Sequence, residues 1–317
     1  MGTRHEKYQR LIDACRPLPP TPTAVVHPCD ESSLRGAMEA AELGLIAPIL
    51  VGPRARIEEV ARAHGIDISG VPLEEAAHSH GSAERAVALV REGRAEALMK
   101  GSLHTDEVMA AVVRRDAGLR TARRISHCFV MDVPGHDSAL IITDAAINIA
   151  PGLAEKADIV QNAIDLAHAL QPAPDSPQDV RVAILSAMET VNPDVPSTIE
   201  AAALCKMADR GQITGAILDG PLALDNAIDL DSARIKKIDS PVAGRANVLV
   251  APDLEAGNML AKSLTFLADA DAAGIVLGAR VPIILTSRAD SVMARLASCA
   301  VATLVARVRR QDGKVAS

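Results

Sequence analysis

The sequence predicts an α/β protein with largely parallel sheets. Three observations carry this: short β-rich apolar runs alternate with longer helical patterns, the runs are apolar enough to be buried, and several end in polar residues just before a helix begins. In chain order the strands are expected at 23–27, 47–51, 95–99, 127–133, 139–143, 180–186, 214–218, 247–251, 274–278 and 282–286. Helices are expected between most of them, at 32–43, 54–64, 82–92, 105–115, 153–170, 197–210, 254–269 and 289–309. The clearest break is Gln171-Pro-Ala-Pro-Asp-Ser-Pro-Gln178, where three prolines in eight residues make a loop. A strand pattern resumes at once, so the loop need not separate domains. No internal repeat or low-complexity tract is visible.

Composition narrows the function classes. The 317 residues suffice for one large domain or two ordinary ones, and 49% hydrophobic with 23% charged residues suits a globular protein. Trp is absent and only Tyr8, Phe129 and Phe266 are aromatic, so the core must be aliphatic and a stacking platform for single-stranded nucleic acid is not expected. A net charge of −7 opposes general nucleic-acid binding, and any anionic ligand must be attracted locally, by a few Arg or Lys residues and helix N-termini. Cys15, Cys29, Cys128, Cys205 and Cys299 are odd in number and scattered, which predicts neither a disulfide framework nor a zinc cluster and suits a reducing cytosol. Residues 1–10 lack the apolar core of a signal peptide, and charged residues interrupt every apolar run. A cytoplasmic protein without a membrane partner is expected.

Four strand ends are the places to look for a site, because open α/β sheets bind ligands at the carboxyl ends of their strands. They are Met99-Lys-Gly-Ser-Leu-His-Thr105, Thr143-Asp-Ala-Ala-Ile-Asn148, Asp219-Gly-Pro221 and Thr286-Ser-Arg-Ala-Asp290. There is no dinucleotide fingerprint, P-loop or nucleophile elbow. His78-Ser79-His80 is the one close His pair and reads as an exposed helix start rather than a metal site. In Val281–Arg295 an apolar strand leads into Ser287 and Arg288, and a helix follows. A helix N-terminus and a planar, permanently charged fork together suit phosphate. Ser287-x-x-Asp290 also fits a capping box, although that leaves Arg288 opposing the helix dipole.

This segment resembles the Ser-Arg segment of the phosphate acetyl/butyryltransferases. The strongest likeness is Ser240-Pro-Val-Ala-Gly-Arg-Ala-Asn-Val-Leu-Val-Ala-Pro-Asp-Leu-Glu-Ala-Gly-Asn258, a long and specific signature of that family. Leu98-Met-Lys-Gly101 with Thr105, Ile142-Thr-Asp-Ala-Ala-Ile-Asn148 and Asp219-Gly-Pro-Leu-Ala-Leu-Asp225 support it, and the likeness runs from about Ser33 to Leu304. The Leu98–Gly101 and Leu285–Ser291 stretches look closer to the butyryltransferase branch.

The resemblance implies reversible acyl transfer between coenzyme A and inorganic phosphate, acetyl or butyryl, with acyl-CoA and phosphate as substrates and no cofactor or metal. It implies two α/β domains with an inter-domain cleft, isocitrate/isopropylmalate dehydrogenase-like: residues 1–150 with 275–317, and 151–274. A homodimer is expected. Ser287, Arg288 and Asp290 are the implied catalytic set: Arg288 for the phosphate and oxyanion, Ser287 for the sulfur, Asp290 as base. Asp290 is a substitute, because the carboxylate that the acetyltransferase branch places seven residues after its Ser is Ala294 here. An Arg shortly after the counterpart of Thr105 is also missing, so Lys100 is a candidate for the phosphate clamp. Substrate-binding candidates are Lys100, Gly101, Thr105, Thr143, Asp144, Asn148, Asp225, Arg245, Glu255 and Asn258.

Each has a structural alternative: a solvated turn for Lys100, a helix cap for Asp144 and Asn148, a dipole-favoured position for Glu255, a surface ion pair for Arg245. Two other functions stay open. One is a metal-dependent dehydrogenase on the same scaffold, for which Asp219, Asp225, Asp229 and Asp231 would be the metal ligands, although they read rather as a solvated acidic loop. The other is a non-catalytic protein that binds CoA or an acyl phosphate.

Overall fold

The structure is a computed structural model that describes residues 5–171, 179–286, 290–311 and 313. It opens with α1 (Glu6–Cys15), β1 (Thr21–Val26), α2 (Glu31–Glu42), β2 (Ile46–Gly52), α3 (Arg54–His64) and β3 (Leu73–Glu75). Next come α4 (Ser79–Arg91), β4 (Ala97–Lys100), α5 (Thr105–Val112), β5 (Ser126–Asp132), β6 (Leu140–Thr143) and α6 (Leu153–Ala169). The chain continues through β7 (Arg181–Leu185), α7 (Pro196–Asp209), β8 (Ile217–Leu222), α8 (Leu224–Ile228) and α9 (Leu230–Ile235). It ends with β9 (Val248–Val250), α10 (Leu254–Leu267), β10 (Asp271–Leu277), β11 (Ile283–Ile284) and α11 (Val292–Gln311).

Two compact units result, one of Tyr8–Arg123 with Ala273–Ser317, the other of Met1–Lys7 with Arg124–Ala272. In the first unit the strand order is β3-β2-β1-β4-β11-β10, parallel except for the β10–β11 pair. β1 lies in the middle, and Ala24, Val25 and Val26 are fully buried. Such strands read as continuous apolar runs because helices cover both faces. In α11 every residue from Ala294 to Ala306 is buried. Its middle, Leu296-Ala-Ser-Cys-Ala-Val-Ala-Thr-Leu304, is apolar on all sides, as a helix inside a core must be. The two hydroxyls in that run find backbone acceptors: Ser298 Oγ donates to Ala294 O one turn back at 2.9 Å, and Thr303 Oγ1 to Leu45 O, distant in the chain, at 2.8 Å.

In the second unit the order is β5-β6-β9-β7-β8, with β5–β6 antiparallel and the other pairs parallel. Its core gathers Met131, Leu140, Ile142, Leu185, Leu222, Val242 and Leu249.

Three sequence expectations are corrected. Asp219-Gly-Pro221 does not follow a strand but lies inside β8. Asp144 and Asn148 do not cap the next helix, which starts at Leu153 after Gly152. Asp290 cannot be the capping-box partner in the first turn of α11, because it precedes the helix. Ser291 takes the cap instead, its Oγ accepting the N–H of Ala294 at 3.1 Å. Ser287 and Arg288 lie outside the described residues.

Candidate active site

The turn after β6 organises the second unit's candidate site. Thr143 ends the strand fully buried, and its hydroxyl donates to His127 O on β5 at 2.8 Å. Asp144 is 3% exposed, and its carboxylate gathers the turn around itself. One oxygen accepts N–H groups of Ala146 at 2.9 Å and Ile147 at 3.0 Å; the other accepts the backbone N–H of Asn148 at 3.2 Å and its carboxamide at 2.5 Å. A short acidic side chain that folds its own backbone in this way is the reason Asp favours turns.

Asn148 carries the arrangement outward. It is 2% exposed. Besides Asp144, its carboxamide donates to Ile125 O at 2.9 Å, and its Oδ1 accepts Nε of Arg124 at 2.7 Å. Arg124 is half exposed, with Nη1 at 2.9 Å from Glu155 in the first turn of α6. A buried carboxylate, a buried amide and a surface guanidinium thus form one chain of hydrogen bonds.

The N-terminus of α10 braces the turn from behind. Asp253 caps the helix, accepting Ala256 N–H at 2.8 Å, and Asn258 Nδ2 donates to Ala145 O at 3.0 Å. The close approach needs glycine at 257, where an added Cβ would stand 2.4 Å from Asp144 O. The signature that ends Pro-Asp-Leu-Glu-Ala-Gly-Asn258 is therefore a cap, a contact glycine and a latch.

His127 on β5 is 2% exposed and packs edge-on against Phe129, ring centroids 4.4 Å apart. Among the described residues its Nδ1 has no hydrogen-bond partner. Burial holds the imidazole well below the usual histidine range and so neutral, with the nearby Asp144 charge opposing.

In the first unit, β4 delivers Lys100-Gly-Ser102 to the end of β1. Gly101 N–H donates to Val26 O at 2.9 Å, and a Cβ at 101 would meet that oxygen at 2.3 Å, so only glycine fits. Ser102 Oγ donates to His27 O at 2.9 Å and accepts Cys29 N–H at 3.1 Å. Lys100 is half-buried and reaches the carbonyls of Gly101 at 3.3 Å and Leu103 at 3.2 Å. A cavity of about 450 Å³ opens beside this loop, lined by Cys29, Asp30, Glu31, Ser32, Arg56 and Ser102. Thr105 is the first residue of α5. Glu107, two residues on, accepts from Ser79 Oγ and from His104 N–H at 2.9 Å, contacts that hold its carboxyl below the usual range.

His78 caps α4 by accepting Gly81 N–H at 3.0 Å, the helix start expected for the His pair. Among the described residues no cluster of three or more His, Cys, Asp or Glu is arranged to hold a metal ion.

The structure thus joins Thr143, Asp144, Asn148 and Asn258 in one cluster, and Lys100 and Gly101 in another loop. Asp225 pairs with Lys236 at 3.4 Å, while Arg245 and Glu255 are exposed. Among the described residues no hydrogen bond or ion pair ties these three to the Asp144 cluster. Ala294, at the position of the acetyltransferase-branch carboxylate, is 3% exposed inside α11. Arg124 was missed by sequence reasoning. The available signal was Arg123-Arg124 just ahead of a strand end opposite the Asp144 turn, but hydrogen-bonding across two strands cannot be read from spacing.

Comparison with known proteins gives the family and the fold. The protein-family pattern described as "Phosphate acetyl/butaryl transferase" matches residues 79–303. The chain belongs to that family. As a member it is an acyltransferase. It is 65% identical over 311 residues to the phosphate acetyltransferase of Rhizobium meliloti, covering 98% of this chain and 96% of the relative. It is 38% identical over 301 residues to the phosphate butyryltransferase of Clostridium beijerinckii, covering 95% and 98%. Identity is thus higher to that acetyltransferase than to that butyryltransferase, although two stretches look butyryl-like. Among solved structures, a branched-chain phosphotransacylase from Enterococcus faecalis V583 superposes with a TM-score of 0.76 at 27% identity, covering 90% of this chain and 98% of that one. The mixed α/β architecture is therefore that of the phosphotransacylases.

Proposed function

We propose that this chain carries out acyl-CoA + phosphate ⇌ acyl phosphate + CoA, with acetyl as the preferred acyl group. The observation that carries the reading is the 65% identity, over nearly the whole chain, to a phosphate acetyltransferase. A phosphate oxygen attacks the thioester carbonyl, a C–O bond forms, the C–S bond breaks, and sulfur leaves as a thiolate that takes a proton. Two anions meet at one carbon in a protein of net charge −7, so the site must supply local positive charge.

Arg288 is assigned to the phosphate and to the tetrahedral oxyanion, and Ser287 to the sulfur. Donors aimed at developing charge contribute about 2.7–4 kcal/mol each. Asp290 is assigned the proton, since a thiol of pKa about 8.5 is only slightly ionised at neutral pH. Asp290 lies just before α11, whose first turn is capped by Ser291. Arg124 is a further anion-binding group, its guanidinium half exposed and oriented by Asn148. Lys100 and Thr105 are assigned to substrate binding at the end of β4. Holding both substrates in place supplies much of the remaining acceleration.

The finer scaffold we assign is the isocitrate/isopropylmalate dehydrogenase type, supported by the strand–helix alternation of each unit. The working form is a homodimer in the cytosol, free of metal and cofactor. Exposed Met259, Phe266 and Leu267 on α10 and the five free cysteines support these assignments. The test is a panel from acetyl- to hexanoyl-CoA, following free thiol with and without phosphate. Phosphate-dependent release, fastest with acetyl-CoA, is expected. Equal rates without phosphate, or tight CoA binding with no thiol released, would defeat the reading.

A further inference from the structure

Both N–H donors of the Asn148 carboxamide are committed inside the protein, to Asp144 and Ile125, and its Oδ1 accepts from Arg124. At 2% exposure it has no donor left for an anionic substrate. What it does offer is a fixed point for Arg124. An unheld arginine on the surface samples many rotamers, and that freedom is lost when it binds. A bond to Nε fixes the plane of the guanidinium and turns the edge that carries Nη1 and Nη2 away from Asn148. The amide also has the right charge. A neutral acceptor orients the guanidinium without cancelling its positive charge. A carboxylate at 148 would face the buried Asp144 carboxylate, which like-charge repulsion disfavours, and would lose both donors. Glu155 on Nη1 belongs to a pair with side chains 50% and 38% exposed, a class worth little and open to exchange for an incoming anion.

We propose that Asn148, backed by Asp144, is a positioning residue for the transfer: it aims the Arg124 guanidinium, through Nε, at the phosphate-bearing substrate. This rests on the acyltransferase reading above. It also reassigns Asp144 and Asn148 from touching substrate to orienting the group that does.

The test is a double-mutant cycle on the full chain, with kcat and KM measured against phosphate and against acetyl-CoA. Asn148→Ala is expected to lower kcat/KM by roughly ten- to a hundredfold, the range for a lost hydrogen bond to a charged group. Arg124→Ala should cost at least as much, and the double variant no more than Arg124→Ala alone. Arg124→Lys keeps the charge but has no Nε–H, and should fall to the level of Asn148→Ala. It leaves the Asn148–Asp144 contact in place, so it informs even where Asn148→Ala folds poorly. Losses that multiply in the double variant, or an Arg124→Lys enzyme with the parent kcat/KM, would overturn the proposal while leaving the acyltransferase reading intact. A parent chain that makes no acyl phosphate would end both.

Discussion

Four N–H groups converge on the carboxylate of Asp144, and the last belongs to a side chain that in turn holds an arginine. An anion buried this deeply is tolerable only when fully hydrogen-bonded. A carboxylate so occupied is also a poor phosphate ligand, which leaves the positive groups to meet the substrate. Arg288→Ala should therefore cut kcat by roughly 100- to 1000-fold with little change in Tm. A parent-like kcat with saturating phosphate would remove the role assigned to that side chain. Asp290→Asn separates proton transfer from helix capping. The expected result is a lower kcat with an unchanged melting temperature, because Ser291 supplies the cap. Residue identities such as Gly101, Asp144 and Asn258 were legible in the sequence because the motifs are specific. Which atoms they serve was not. Gly101 answers to a carbonyl of β1 some seventy-five positions away in the chain (Val26), and Asn258 to a carbonyl at 145.

The elements were the most readable level. All ten expected strands exist, shifted by a few residues at most, and α3 begins at Arg54 and ends at His64 as its period predicts. Short elements escaped: β3, with three residues, and α8 and α9, with five and six, are too brief to show a period. α1 was also missed, a ten-residue helix in which Tyr8, Leu11, Ile12 and Cys15 are the buried positions. The start of α11 was misplaced because two serines compete for the cap, and the distance from the strand does not choose between them. Ser291→Ala should destabilise the protein by about 1 kcal/mol and lower Tm by a few degrees, as loss of an N-cap does. An unchanged melting curve would mean that another group caps α11. Gly257→Ala places a methyl 2.4 Å from Asp144 O, so α10 or the turn must shift. Overpacking of this kind costs about 1–3 kcal/mol. Activity should fall along with stability, as the same turn carries Asn148.

At the scale of the molecule, the composition gave a true boundary condition. A chain of net charge −7 does not attract anions by its overall field, so the acyl-transfer reading requires positive charge placed locally. Among the described residues no helix is long and apolar enough to cross a membrane. Global stability should depend on pH through His127. Burial lowers its pKa in the folded protein below the unfolded value of 6.5, so between those two values the unfolded chain binds the proton and the folded chain does not. Its contribution to stability is full above 6.5 and is lost as pH falls toward the lowered folded value, where Asp144 is the charged group facing it. Melting temperatures from pH 7.5 downward should fall in that window, and His127→Phe should flatten that part of the curve. An identical slope in the variant would assign the acid sensitivity elsewhere.

Phosphorus NMR of the full chain with acetyl-CoA and inorganic phosphate tests the transfer most directly. An acyl phosphate signal should grow in step with free thiol, one for one, and should shrink again when excess CoA is added. Thiol that appears with no acyl phosphate, or no change in either, would contradict the assignment of phosphate as the acyl acceptor.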